Sequence, residues 1–151
     1  MERTHYANWV STKVVGAGVI LTLALLIGAR YMFAVSRLAA GIMLILFVPA
    51  MVYTFYMLRA RTALSYEGGG VQGKVLDIAL DHLNKAGWKG SGKLLDIGCG
   101  SGAMEVKAAK RYPKALITGV DAWGSTWDYS QAQCEHNAAL EGVMARVTFR
   151  K

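Results

Sequence analysis

The stretch Lys93–Gly102 reads KLLDIGCGSG. Leu94–Ile97 has the length and apolar character of a short buried strand, and it runs straight into Gly98-Cys99-Gly100-Ser101-Gly102. Three alternating glycines at a strand end let the backbone turn sharply and approach a ligand closely. A helix is predicted next, over Ala103–Tyr112, with Met104, Ala108 and Tyr112 on one side and Pro113 ending it. A second buried strand is predicted at Leu116–Val120, finishing at Asp121. Strand, glycine turn, helix, strand, acid is the order of a nucleotide-binding α/β unit, in which the acid accepts hydrogen bonds from ribose hydroxyls. Asp121 follows Gly100 by about 20 residues, the separation that arrangement uses.

Working back from this stretch, Val75, Leu76, Ala79, Leu80 and Leu83 recur at helical spacing, with charged residues between them and Gly87 placed to stop the helix. We expect this helix to cover one face of the sheet. Before it, Tyr66-Glu67-Gly68-Gly69-Gly70 reads as a flexible joint. Residues 62–92 thus form a joint and a covering helix, and 93–151 the first half of a cofactor-binding domain. Val147–Phe149 reads as the start of a third strand.

Residues 1–61 are of another kind. Val14–Ala29 carries no charge and would cover roughly 24 Å as a helix, with Arg30 able to snorkel and Tyr31–Phe33 extending it. Leu38–Leu58 is a second uncharged run, long enough to span a bilayer, and its Pro49 is tolerated in a membrane helix. A helical hairpin with spans of about 14–33 and 38–58 is expected, since such runs leave no polar face for water. Ala24 and Gly28, four apart, offer a close-approach face. Arg3, Lys13, Arg59 and Arg61 flank the outer ends and only Arg30 and Arg37 the turn, which places both termini on the cytosolic side.

The charge balance supports this division. Most of the net charge of +7 belongs to residues 1–61, where basic residues punctuate apolar runs. That pattern suits anionic headgroups, and no nucleic-acid partner is expected. Cys99 and Cys134 have neither disulfide-framework nor zinc spacing, so no metal is expected either.

As spacing alone, Gly98-x-Gly100-x-x-Ala103 also fits a nicotinamide or flavin fingerprint, so an NAD(P)-dependent oxidoreductase stands as an alternative. Asp96, two residues before the first glycine, and Gly102 point away from it. With those residues, LLDIGCGSG resembles the first motif of class I S-adenosylmethionine-dependent methyltransferases, and ITGVD their second-strand motif. A helix over Trp127–Leu140 carrying Asn137, and then EGVMARVTF, continue the likeness. From Ser65 onward the chain is similar to a bacterial group whose methyltransferase domain follows an N-terminal membrane hairpin.

The resemblance implies a partial Rossmann-like α/β parallel sheet preceded by a two-helix transmembrane hairpin. It implies S-adenosyl-L-methionine as cofactor, with Gly98, Cys99, Gly100 and Gly102 forming the loop against its methionine part. Asp96 would lie near its amino group, Asp121 would hold both ribose hydroxyls, and Ala122 and Trp123 would border the adenine. Cys99 occupies a variable loop position and is filler, not nucleophile. Tyr66 and the triple glycine would close over the cofactor. The implied protein is a multi-pass membrane enzyme, its methyltransferase domain cytoplasmic, methylating an unidentified acceptor: lipid, small molecule or protein. Ending inside the third strand, the chain is expected to be a truncated form with little activity, or a non-catalytic membrane-tethered fragment.

Overall fold

The structure is a computed structural model in which residues 3–66, 70–125 and 127–151 are described. Of the expected joint, residues 67–69 lie outside the described residues. The chain divides into two compact units, Trp9–Leu64 and Met1–Asn8 with Ser65–Lys151.

The first unit is a pair of helices, α1 (Thr12–Met32) and α2 (Arg37–Ala63), each long and apolar enough to cross a membrane. Ser11 caps α1 by accepting from the Lys13 N–H, and Ser36 caps α2 by accepting from the Ala39 N–H. Arg30 and Arg61 close the last turns, where a cation offsets the helix dipole. Pro49 sits inside α2 without ending it. Helix α1 begins two residues before its expected span and ends one short of it, while α2 runs a turn past Leu58, where arginines and alanines favour helix although the apolar pattern excluded their charges. The close approach is made at Gly18, where a Cβ would come within 2.9 Å of Thr54 Oγ1, as well as at Gly28, which faces Met43. The Thr22 hydroxyl donates to the Gly18 carbonyl (2.8 Å) and lies 3.1 Å from the Thr54 hydroxyl. Such interhelical hydroxyl contacts join helices where apolar surface alone gives no preference.

The second unit is α/β. Its helices are α3 (Val71–Lys85), α4 (Ala103–Arg111) and α5 (Gln131–Leu140); its strands are β1 (Ser91–Ile97), β2 (Lys114–Val120) and β3 (Val147–Arg150). The three strands form a parallel sheet in the order β1-β2-β3, with Asp96 beside Gly119 and Val120 beside Arg150. Leu80, Val106, Ala109, Ile117, Cys134 and Phe149 form the core between helices and sheet. Strand β1 departs from the fully buried strand that its apolar run suggested: Leu94 packs on the core, whereas Leu95 and Ile97 are exposed. Period-two alternation accounts for this, because Leu95 and Ile97 point to the face opposite the core. The strands also begin earlier than expected, at Ser91 and Lys114, which pair with each other, and α5 begins at Gln131 because Ser130 is its cap. Helix α4 stops at Arg111, with Tyr112 as its C-cap.

Residues 3–8 belong to this unit, not to the hairpin with which the sequence grouped them, whereas the hairpin unit begins at Trp9. His5 is clamped by α5: its N–H donates to Asn137 Oδ1 (3.0 Å), and its carbonyl accepts from Asn137 Nδ2 (2.8 Å) and Gln133 Nε2 (2.6 Å). Tyr6 and Ala7 are buried, and the Tyr6 ring meets that of Tyr66 at 4.4 Å.

Candidate functional site

Strand β1 ends at Ile97, and the chain reverses at once. Gly98 and Cys99 both donate their N–H groups to the Val120 carbonyl, at 2.7 and 3.2 Å, so the loop is sewn to the end of β2. Gly98, Gly100 and Gly102 all have positive φ (86°, 56° and 75°), a backbone region that costs other residues energy. They differ in what surrounds them. A Cβ on Gly98 would meet nothing within 4 Å, leaving open space along the backbone; one on Gly102 would strike Phe149 at 2.9 Å and Cys134 at 3.0 Å. Gly98 therefore faces a ligand-sized space, and Gly102 serves helix–sheet packing.

Asp121 ties the loop to the second strand. Its Oδ2 accepts the Gly100 N–H at 2.9 Å and its Oδ1 the Trp123 N–H at 2.7 Å. Each carboxylate oxygen keeps a lone pair for another donor. Trp123 turns back over the loop, donating its indole N–H to the Gly100 carbonyl (2.9 Å), and has a positive φ of 43°, strained for a non-glycine residue. A crevice of about 530 Å³ opens at the ends of β1 and β2, lined by Ile97, Gly98, Val120, Asp121, Ala122 and Lys151. Of the residues expected from the sequence, Gly98, Asp121 and Ala122 line this crevice, while Asp96 stands in β1 and Cys99, Gly100 and Gly102 in the turn that follows it. Trp123, expected with Ala122 to border the adenine, has its indole on Gly100. Tyr66 meets Tyr6 and has the Lys107 ammonium 5.7 Å above its ring.

Cys99 is buried, and its thiol pKa is pushed well above the ordinary value by a hydrogen bond with Cys134, by burial and by nearby carboxylates. A neutral thiol is a poor nucleophile, which agrees with its reading as filler. Cys134 in turn approaches the Gly100 carbonyl at 3.2 Å.

Three residues of the site escaped sequence reasoning. Glu105, in the first turn of α4, is fully buried. Its carboxyl pKa is pushed up to about 10, first by desolvation and then by the neighbouring Asp96 charge. Gly119 makes room for it: a Cβ there would stand 2.6 Å from Glu105 Oε1 and 2.9 Å from Cys99 Cβ. Tyr129 lays its ring about 3.6 Å from where a Gly100 side chain would begin, and stacks on Trp127 at 5.8 Å. Its phenol pKa is raised, chiefly by burial. The one advance signal was positional: Gly119 immediately precedes the Val120-Asp121 strand end.

A strand-end crevice, a glycine loop open toward it and an acid closing the loop can hold a ligand with vicinal hydroxyls and a polar tail. The model of the methyltransferase small domain family matches residues 73–149. Among solved structures, the X-ray structure of YjhP from E. coli is similar, at 28% identity and a TM-score of 0.39. The match covers 49% of this chain and 28% of that one. No curated protein matches.

Proposed function

Because the chain belongs to the methyltransferase small domain family, we propose that it is a membrane-anchored methyltransferase that takes its methyl group from S-adenosylmethionine. The observation carrying this reading is the crevice at the ends of β1 and β2, where the unobstructed Gly98 backbone and the Asp121 carboxylate face one space. Asp121 would accept the two ribose hydroxyls on the lone pairs left by Gly100 and Trp123. The loop glycines would pass along the methionine part without side chains in the way, with Asp96 as the acid near its ammonium group. Ala122 would border the adenine. S-adenosylmethionine supplies a methyl on sulfonium sulfur that is already electrophilic. What the chain adds is placement and the exclusion of water.

We further propose that α1 and α2 form a transmembrane hairpin with both ends cytosolic, in a membrane of anionic lipid. Two observations support this: the long apolar helices, and the folding of residues up to Asn8 into the same unit as those after Ser65. An even number of spans returns the chain to its starting side, as that folding requires. An acceptor held at the membrane surface suits such an anchor.

Calorimetry of the full chain in nanodiscs, titrated in parallel with S-adenosylmethionine and NAD⁺, tests the cofactor. Heat with the first alone is expected; heat only with NAD⁺ overturns the assignment. Reporter fusions after residues 8, 34 and 66 test the topology, which fails if residue 66 reports from outside.

A further inference from the structure

The crevice accounts for Asp121 and the glycines but not for Glu105, an acid buried to 0% exposure one helical turn below the loop. Both of its oxygens are shut off from solvent without a hydrogen-bond donor among the described residues. An ionised carboxylate in such a place would carry the full penalty of an uncompensated buried ion. The geometry shows what the group faces. Asp96 and Gly119 are register partners on β1 and β2. Gly119 has no side chain, and the Glu105 carboxyl takes that volume, with Oε1 2.6 Å from the position of the missing Cβ. Glu105 therefore lies beside Asp96, and the two carboxyl groups meet with no cation between them among the described residues. The other titratable groups around it are Cys99 of the loop, with Cys134 of α5 and Asp121 at the end of β2 behind that thiol.

Two acceptors side by side need a proton. We propose that Glu105 is an acid neutral at physiological pH whose O–H donates to the Asp96 carboxylate, making it a positioning residue that fixes the rotamer of Asp96 beneath the glycine loop. Resting on the functional reading above, the group that Asp96 then receives is a cation, the α-ammonium of S-adenosylmethionine. The arrangement solves two problems together. The buried acid finds an acceptor, and the Asp96 carboxylate is held in one orientation at the end of β1. Burial and the Asp96 charge both favour the protonated form, consistent with a pKa pushed up to about 10. Gly119 is part of the same device, because any side chain there would displace the acid.

The test uses the full chain in nanodiscs. The carbon-13 carboxyl resonance of Glu105, assigned by its loss in Glu105→Gln, should report the neutral acid from pH 6 to 8 without cofactor. Glu105→Gln keeps an N–H donor and should bind S-adenosylmethionine within about threefold of wild type, whereas Glu105→Met keeps the volume, loses the donor and should bind about tenfold or more weakly. A melting temperature in Glu105→Met equal to or above that of wild type would separate this loss from unfolding. An ionised Glu105 at pH 7, or equal binding by the Gln and Met variants, overturns the proposal. Should Glu105→Met fail to fold, the resonance and the Gln variant decide. If Glu105 is neutral but the wild type binds no S-adenosylmethionine, the pairing with Asp96 stands and the assigned cofactor falls.

Discussion

Gly100 donates its backbone N–H to the carboxylate of Asp121 at 2.9 Å, a bond that spans 21 residues and joins the tip of the glycine loop to the end of the second strand. The same carboxylate holds the Trp123 N–H at 2.7 Å. Asp121 is thus the clasp of the loop as well as the ligand group of the proposed function. Asp121→Ala should weaken S-adenosylmethionine binding by about 1.5–3 kcal/mol, the range for charge-assisted hydrogen bonds. Asp121→Asn should fall between Ala and wild type, since one acceptor is kept while an amide N–H faces a backbone donor. Calorimetry of the three proteins checks the order.

The glycines separate by neighbourhood. Gly98→Ala and Gly102→Ala both force alanine into positive φ, at about 1–2 kcal/mol each. Only at Gly102 does a Cβ also strike Phe149 and Cys134. Gly102→Ala should therefore melt at clearly lower temperature than Gly98→Ala. Gly98→Ala should show its larger effect in cofactor affinity. Thermal unfolding followed by tryptophan fluorescence, run beside binding, gives both readings.

Asn137 is fully buried and bonds both backbone groups of His5. Asn137→Ala leaves the His5 N–H without this acceptor and should cost about 1–3 kcal/mol. Hydrogen exchange should rise sharply at residues 3–8 and at the middle of α5, and little in β1 and β2. Uniform acceleration across the unit would show that the clamp supports the whole core.

Glu105 gives stability a definite slope with pH. Its pKa in the folded protein is raised to about 10 from the ordinary 4.5, so between these values the folded state holds a proton that the unfolded state has lost. The acid's favourable contribution is complete below the unfolded value and disappears as pH rises toward 10. Stability conferred by this site should thus decline with pH, by at most about 1.4 kcal/mol per unit. Glu105→Gln does not titrate, so its advantage over wild type should grow from pH 5 to pH 9. Parallel melting curves with no divergence would contradict the raised pKa.

The order strand, glycine loop, helix, strand, acid was legible because each member is specified locally: apolar runs for β1 and β2, glycines for positive φ, Pro113 for the end of α4. Boundaries were less so. Ser91 and Lys114 look like loop residues, yet they pair because the parallel register extends to them. The joining of residues 3–8 to α5 was invisible, since nothing in Thr4-His5-Tyr6-Ala7 declares a partner more than a hundred residues away. Glu105 was hidden for the opposite reason. An acid in the first turn of a helix is what the helix dipole favours at a surface, so only its packing over Gly119 exposes its role.

The clamp on His5 has a consequence for how the protein is made. Residue 5 leaves the ribosome well before its partners Gln133 and Asn137, which are synthesised 128 and 132 positions later. Between the two events, on the proposed topology, both spans have to enter the bilayer. The N-terminal segment must therefore wait in the cytosol, undocked, until α5 exists to receive it. Once a loop is this long, its closure entropy grows by only about 0.6 kcal/mol per doubling, so the delay adds little thermodynamic burden. Its meaning is one of order and proofreading. On that topology, a chain whose first helix inserts in the reverse sense carries residues 3–8 to the wrong side, and the α/β unit then lacks the segment that carries the buried Tyr6 and Ala7. On the proposed topology, completion of the α/β unit becomes a report on whether the hairpin was inserted correctly.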